Sequence, residues 1–230
     1  MCFRVRTGLY LPMAAMLIVP CYPEGSPTAV DKNIPSPAPE VQGMFPHGGM
    51  RGSSVRVRIT GKKLGDVTSI QFARAGLNAE IVSRTDSELL TNIKIDSNAE
   101  PGRHDLRLIS STGSNIAWFD VGAFEEITEV EPNDNPKQAQ QVTLPALVNG
   151  IIAKGDYDFF RFTANAGETI TFDVNGTRNG SPLDGVLAVF DEQGEQLDYD
   201  DDHYIFKDPH LTYRFERAGT YLVRVNGSEE

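Results

Sequence analysis

The stretch EVEPNDNP, residues 129–136, separates two parts of the chain that differ in charge and in sequence motifs. Its eight residues include three carboxylates, two carboxamides and two prolines. Because Pro132 and Pro136 lack a backbone N–H and disfavour helix in the residue before them, we predict an extended, kinked connector with a row of side-chain oxygens. Calcium prefers such oxygen ligands. An acidic hinge between two domains explains the same residues equally well.

The charge of the chain changes at this hinge. Residues 40–124 carry ten Lys and Arg against nine Asp and Glu, whereas residues 125–230 carry eight against twenty-one. Nucleic-acid binding requires a basic face that neutralises phosphates, so nucleic acid is excluded as a partner. The acidic half favours a cation-binding domain, and the alternative is that acidity keeps an exported domain soluble.

The N-terminal residues are typical of an export signal. Arg4 and Arg6 precede an uncharged, mostly apolar run over residues 8–19, which is too short to cross a bilayer comfortably. We predict a signal peptide over residues 1–29, a Pro-rich linker over residues 30–39, and no transmembrane span in the mature chain.

Both cysteines of the chain, Cys2 and Cys21, lie in this leader. Cys21 follows an apolar run, as the acceptor cysteine of a lipoprotein does, whereas the proline directly before it fits that role poorly. Cleavage beyond Cys21 would leave a mature chain without cysteine. Disulfides, thiol catalysis and cysteine-based zinc sites would then be excluded.

Residues 40–124 contain six apolar stretches that are typical of short strands. Residues 55–60 alternate apolar and polar side chains with the two-residue period of a half-buried strand. Because six short strands without a helical period favour two packed sheets, we predict a β-sandwich. The predicted strands cover residues 55–60, 68–72, 79–83, 89–95, 104–110 and 116–121.

Three turn motifs punctuate this first half. They are FPHGG at residues 45–49 before a strand, TGKKL at residues 60–64 after it, and AEPG at residues 99–102 before a late strand. These motifs resemble those of an IPT/TIG domain, an immunoglobulin-like module of cell-surface and secreted proteins. The resemblance implies an immunoglobulin-like sandwich over residues 40–124 that serves as a spacer or binding module and carries no catalytic residues.

The second half, residues 125–230, shows six further strand patterns separated by glycines. We predict a second antiparallel sandwich with a jelly-roll-like arrangement, and a short helical turn at residues 138–141. The predicted strands cover residues 147–152, 158–163, 169–174, 185–190, 211–215 and 220–225.

Six motifs follow one another in this half: EPND at residues 131–134, GDYDFFRF at 155–162, AGET at 166–169, GSPLD at 180–184, DD at 201–202 and AGTY at 218–221. In this order they resemble the bacterial pre-peptidase C-terminal (PPC) domain, a β-sandwich appended to secreted peptidases and to many other exported bacterial proteins. The family pattern continues beyond the last predicted strand, so we expect the chain to be a fragment, truncated at its C-terminus. An IPT/TIG-like module followed by a PPC-like module resembles large modular surface proteins.

The resemblance also implies a calcium site at the hinge. In related collagen-binding modules of bacterial collagenases, calcium is held by the acidic linker and by an aspartate of the following Asp-aromatic motif. As an alternative, two of these hinge residues cap the turn that follows. Carried over by motif, the ligands are Glu129, Glu131, Asn133, Asp134 and Asp158, with Asp156 as a further candidate, and the capping residues are Asn133 and Asp134.

A second acidic cluster lies at residues 198–202. Its spacing fits the start of an EF-hand loop, but His203 and Pro209 stand where that loop requires glycine and glutamate, so an EF-hand is excluded. The alternatives are a solvated acidic loop and a second calcium site. The candidate ligands of that second site are Asp184, Asp200, Asp201 and Asp202.

The sequence carries no recognised catalytic motif. The four histidines lack zinc-site spacing, and there is no Gly-x-Ser-x-Gly elbow, P-loop or dinucleotide fingerprint. Among the aromatic residues, Trp118 and Tyr221 are predicted to lie in the core, whereas Tyr199 and Tyr204, in a polar segment, are better candidates for contact with a ligand.

We therefore predict an exported, non-enzymatic protein of two all-β modules. Its predicted function is that of a calcium-stabilised binding, adhesion or spacer module, whose ligand is an extracellular protein or a polysaccharide. The alternative is an accessory targeting region of a secreted peptidase or other hydrolase whose catalytic domain lies outside this chain.

Overall fold

The computed structural model describes residues 2–7, 38–203 and 207–228, the first of these segments as backbone only. Strands dominate, and the helices of these ranges are two short 3₁₀ turns, Leu64–Asp66 and Thr177–Asn179. The prediction of an all-β fold is confirmed. Over the same ranges the chain has no helix with the length and apolar character that a membrane crossing requires. The N-terminal strand, Cys2–Thr7 (β1), pairs within the second of two sandwiches.

The first sandwich consists of two four-stranded sheets, with strand orders β2-β4-β7-β6 and β3-β9-β8-β5. Each of the six predicted strands overlaps an observed one, and the two short strands at the start of the domain were missed. The eight strands are Glu40–Phe45 (β2), Gly48–Met50 (β3), Ser54–Lys62 (β4), Val67–Phe72 (β5), Leu77–Arg84 (β6), Glu88–Ile95 (β7), Gly102–Ser110 (β8) and Gly113–Gly122 (β9).

The core of this sandwich follows from the period-2 pattern of the sequence. In β4 every second residue is buried, so that Val57 and Ile59 face the opposite sheet while the arginines between them face solvent. Leu106 and Phe119 from β8 and β9 fill the other side of the same core. Each fully buried aliphatic or aromatic side chain contributes about 1.5–3 kcal/mol.

The second sandwich consists of two five-stranded sheets, with strand orders β10-β12-β1-β14-β17 and β11-β13-β18-β15-β16. Again each of the six predicted strands overlaps an observed one. The strands that follow the first sandwich are Glu126–Thr128 (β10), Gln140–Gln141 (β11), Leu147–Ile151 (β12), Tyr157–Ala164 (β13), Thr169–Val174 (β14), Gly185–Asp191 (β15), Gln196–Asp200 (β16), His210–Arg214 (β17) and Gly219–Gly227 (β18).

Aromatic rings form the centre of this second core. The ring of Phe162 lies 5.4 Å from that of Phe172, 5.7 Å from Phe215 and 6.1 Å from Tyr221, between centroids. The first pair is tilted, the second is edge-to-face and the third is stacked, with spacings typical of favourable aromatic pairs. Tyr221 is buried, as predicted, and its hydroxyl donates a hydrogen bond of 2.8 Å to the Arg217 carbonyl oxygen.

The structure differs from the sequence predictions at two places in this half. The helical turn predicted at residues 138–141 is instead a turn that leads into β11, which pairs in parallel with β13. The acidic residues 198–200 lie on the edge strand β16 and not in a loop. In both cases cross-strand pairing, which local polarity does not reveal, decides the conformation.

The N-terminal strand β1 lies between β12 and β14 and is antiparallel to both. The sequence predicts that these residues begin a signal peptide, so this placement was not anticipated. Residues 8–29 of the predicted signal peptide, and residues 30–37 of the predicted linker, lie outside the described residues.

Candidate metal site at the hinge

The hinge, residues 129–136, folds back along the edge of the second sandwich. The Glu129 amide donates to the Asn149 carbonyl oxygen of β12 at 3.0 Å, and the Phe159 amide of β13 donates to the Asn133 carbonyl oxygen at 2.9 Å. The segment is neither helix nor strand, as the two prolines predict. These backbone bonds bring the hinge side chains against the start of β13, which carries Asp158.

The carboxylates predicted to bind calcium converge in two overlapping groups. One oxygen from each of Glu129, Glu131 and Asp158 lies within 4.8 Å of the others, and the same holds for Glu131, Asp134 and Asp156. Among the His, Cys, Asp and Glu residues that the structure describes, these are the groups with metal-binding proximity. Five of the six residues proposed for the hinge site therefore meet at one place.

Asp158 is the most constrained member of the cluster. Its side chain is fully buried, and its Oδ2 atom receives no hydrogen bond from any donor in the described part of the chain. Burial, followed by the adjacent Glu129 carboxyl, raises the pKa of Asp158 to about 10. The charged form of this carboxylate is therefore strongly disfavoured unless a cation compensates it.

Glu129 resembles Asp158 in one of its two carboxylate oxygens. Its Oε1 atom accepts a hydrogen bond of 2.5 Å from the Ile151 amide, while its Oε2 atom is buried and has no donor among the described residues. Burial raises the pKa of Glu129 above its usual range. The two unpaired oxygens belong to neighbouring carboxyl groups. Only a shared proton or a bound cation can therefore offset the repulsion between the two groups.

Asn133, the sixth candidate, is fully buried beside two of the carboxylates. If its amide nitrogen faces them, it donates to Glu131 Oε2 at 3.0 Å and to Asp158 Oδ1 at 3.2 Å. If its amide oxygen faces them, three oxygens point at one another, an arrangement that only a cation favours. The orientation of one amide group thus distinguishes the occupied from the empty site.

The remaining two carboxylates differ in exposure and pairing. Asp156 accepts hydrogen bonds of 3.1 Å from the amides of Ala153 and Tyr157, so it also forms the turn before β13. Asp134 is exposed. None of the ion pairs found in the described ranges involves any of the five carboxylates.

The alternative role predicted for Asn133 and Asp134, capping of the following turn, is carried out by a different side chain. The Asn135 side-chain oxygen accepts a hydrogen bond of 3.1 Å from the Lys137 amide, and the Gln138 amide donates to the Asn135 carbonyl oxygen at 3.0 Å. Asn135 therefore forms this turn, which leaves Asn133 and Asp134 to the carboxylate cluster.

The second candidate group is not assembled in the described residues. Asp184 pairs with Lys207, and Asp200 accepts a hydrogen bond of 2.7 Å from the His210 amide. Asp201 and Asp202 are exposed, and Asp201 bonds the Asp202 amide at 3.0 Å. Three of these carboxylates have separate partners and Asp202 is exposed, so the interpretation as an acidic surface fits them better.

The aromatic residues divide as follows. Tyr199 is 59% exposed on β16, whereas Tyr204 lies outside the described residues. Trp118 is only partly buried, contrary to its predicted place in the core. The guanidinium carbon of Arg103 lies 4.1 Å from the centre of the Trp118 ring. The same ring borders a cleft of about 250 Å³ that Asn149 and Asn175 also line.

Comparison with known proteins identifies part of the second sandwich. Residues 156–227 match the sequence profile of the Bacterial pre-peptidase C-terminal domain. These residues form a PPC domain. The predicted PPC resemblance is thereby confirmed over this range, which includes Asp156 and Asp158 of the cluster. No family match supports the IPT/TIG resemblance of residues 40–124, which stays a prediction.

A protein of Deinococcus radiodurans named "Probable subtilase-type serine protease" is 34% identical over 100 residues. The aligned region covers 42% of this chain but only 14% of that protein. This chain therefore matches a small part of the protease.

Two solved structures are similar at a low level. SGBP-B from the Bacteroides ovatus mixed-linkage glucan utilization locus, in complex with a mixed-linkage heptasaccharide, aligns at 14% identity over 76% of this chain and 35% of its own, with a TM-score of 0.31. The extracellular region of plexin A4 aligns at 11% identity over 84% of this chain and 16% of its own, with a TM-score of 0.32.

Proposed function

We propose that this chain is a non-catalytic accessory region of a secreted peptidase, and that calcium at the hinge fixes the second sandwich to the segment that precedes it. The observation that carries the calcium part is the buried Asp158 carboxylate, which lies within 4.8 Å of the Glu129 carboxylate, each group having one oxygen without a donor among the described residues. A bound dication would compensate both.

The relation to a subtilase-type protease favours the accessory role over the adhesion role. The sequence allows both, and the subtilase-type protease of Deinococcus radiodurans supports the first, although its similarity to this chain covers 14% of its length. A region of this size that lacks a catalytic motif suits a module appended to a catalytic domain.

The ligand chemistry supports calcium over other cations. Every candidate ligand is an oxygen, from five carboxylates and one carboxamide, and calcium accepts roughly six to eight oxygens in flexible geometry. Zinc and copper prefer imidazole and thiolate, which the cluster does not contain. Magnesium requires a stricter octahedron and retains more water.

Calorimetric titration of the whole chain with calcium, after treatment with a chelator, tests the metal site. We expect binding in the parent chain and none in the double variant Asp158→Asn, Glu131→Gln. The matched control is Asp201→Asn, Asp202→Asn, which removes the same charge from an exposed part of the same domain and should bind as the parent does. Equal binding by both double variants would contradict a site at the hinge.

The genome tests the accessory role independently of the metal. We expect a peptidase catalytic domain in the same reading frame as this chain or encoded directly beside it. Further sandwich modules without any hydrolase would contradict the accessory role and favour adhesion.

A further inference from the structure

The sheet that contains β12 has an unusual strand order, because its middle strand, β1, comes from the N-terminal end of the sequence. In the order β10-β12-β1-β14-β17, strands β12 and β14 are both paired to β1 and not to each other. Without β1 the sheet would separate into two pairs, β10-β12 and β14-β17, with a gap one strand wide between them.

The gap has the properties of an interior position in a sheet. In β12 four consecutive residues, Leu147 to Gly150, are buried, a pattern typical of a strand covered on both faces. In β14 the residues Ile170, Phe172 and Val174 are buried in the domain core. Backbone N–H and C=O groups at the two facing edges would be left without partners in an enclosed place, which costs stability.

The register of β1 matches this environment. Val5 is aligned with Val148 of β12 and with Val174 of β14, and both of these valines belong to the buried core. Apolar Phe3 and Val5 alternate with Arg4 and Arg6, which is the period expected for a strand with one face on the core.

We propose that the gap between β12 and β14 is a strand-acceptor site, and that the strand Cys2–Thr7 of this chain occupies it as a separable insert. The site takes one short extended segment with alternate apolar residues, antiparallel to both neighbours. This inference does not depend on the calcium site or on the accessory role.

The proposal has a direct consequence for export. Residues 2–7 cannot both remain in the sheet and leave with a cleaved signal peptide. Removal of residues 1–29 would therefore open the acceptor site and make the stability of the PPC domain depend on whether the excised segment stays bound.

The test uses the whole chain with a site-specific protease sequence inserted between Ala29 and Val30. After cleavage of the folded protein, we expect the N-terminal piece to stay with the remainder through gel filtration in native buffer. Denaturant should release it, and a synthetic peptide of sequence CFRVRT should restore the melting temperature of the refolded remainder.

Two proline variants of the cleavable chain sharpen the test. Val5→Pro removes a ladder hydrogen bond from a central strand, so its N-terminal piece should leave at least about tenfold faster than that of the parent. Met13→Pro, in the same piece but outside β1, is the matched control and should behave as the parent does.

Two results would overturn the proposal. Release of the parent piece in native buffer with an unchanged melting temperature would mean that the sheet needs no inserted strand. Release accompanied by dimerisation of the remainder would mean that a strand of a second copy fills the gap, and that Cys2–Thr7 is not its occupant.

Discussion

Asp158 and Asp208 lie equally deep in the second sandwich, with 0% and 1% of their surfaces exposed, yet their carboxylates meet opposite surroundings. Asp208 accepts hydrogen bonds from the amides of Gly176, Thr177 and Arg178 at 3.0, 2.6 and 2.9 Å. The Arg178 Nε atom adds an ion pair at 2.9 Å. One oxygen of Asp158 has no donor among the described residues, and the side chains of Glu129, Glu131 and Asn133 lie beside the carboxyl group.

The pKa values of the two groups diverge accordingly. Burial acts to raise both, but at Asp208 the hydrogen bonds from Arg178 and Thr177 outweigh it and hold the pKa below its usual range. At Asp158 nothing opposes burial, and the pKa rises to about 10. The fold therefore stabilises one buried charge completely and leaves the other to be compensated from outside. The first pattern is that of a structural group, and the second is the one that the proposed calcium site requires.

Substitution of Asp208 should have the largest effect. We expect Asp208→Ala to lower the free energy of unfolding by about 3–5 kcal/mol, because it leaves three amides without their acceptor and removes one of the two carboxylates, Asp208 and Asp173, that pair with the half-buried Arg178 guanidinium. Denaturant unfolding of the whole chain measures this loss. A decrease below about 1 kcal/mol would place Asp208 among ordinary surface pairs and remove the contrast with Asp158.

Calcium should have the next largest effect, and only through Asp158. At a calcium concentration one hundred times the dissociation constant, a ligand that binds only the folded state stabilises it by about 2.7 kcal/mol. We expect the melting temperature of the parent to rise accordingly and that of Asp158→Asn to stay constant. An equal rise in both would show that the ion binds elsewhere.

The pH dependence of stability should have opposite signs at the two sites. In chelator, Asp158 has a folded pKa of about 10 against an ordinary value of 3.8, so its contribution is complete below pH 3.8 and is lost as the pH rises toward 10. The slope is at most about 1.4 kcal/mol per pH unit. Asp208 has a lowered pKa, so its contribution is present above pH 3.8 and is lost as the pH falls through the folded pKa.

Urea unfolding in chelator from pH 3 to pH 9 separates these contributions. In Asp158→Asn the free energy of unfolding should decline less as the pH rises. Its loss at acidic pH, which we attribute to Asp208, should be the same as in the parent. If the decline persists in this variant, another group is responsible for it.

The smallest effect is expected for Asp158→Asn in chelator at pH 3, where the pH lies below the pKa of the parent carboxyl in both the folded and the unfolded state. The amide is nearly isosteric and supplies an N–H donor to the free oxygen of Glu129, so the free energy of unfolding should be unchanged or higher by about 1 kcal/mol. A loss of several kcal/mol, as expected at Asp208, would show that the acid form of Asp158 already stabilises the apo domain.

Much of the architecture could be predicted from local sequence patterns. The two-residue period of residues 55–60 placed a strand with Val57 and Ile59 on the core face, because alternation along a strand is a local property. The cluster at the hinge was also predictable in outline. Its carboxylates lie within thirty residues of one another, and a folded linker beside the strand that follows has little freedom to separate them.

The sequence by itself thus determined the all-β class and most strands, and the family resemblance indicated which hinge carboxylates would lie together. Only the tertiary structure decided the rest: that Asp158 is buried with one oxygen that has no donor among the described residues, that Asp208 pairs with Arg178 thirty positions away, and that Cys2–Thr7 enters a sheet of the second sandwich. The physical reason is the separation in sequence between the groups that interact. Period and turn chemistry act between neighbours in sequence, whereas burial, charge compensation and strand pairing depend on groups that only the complete fold brings together.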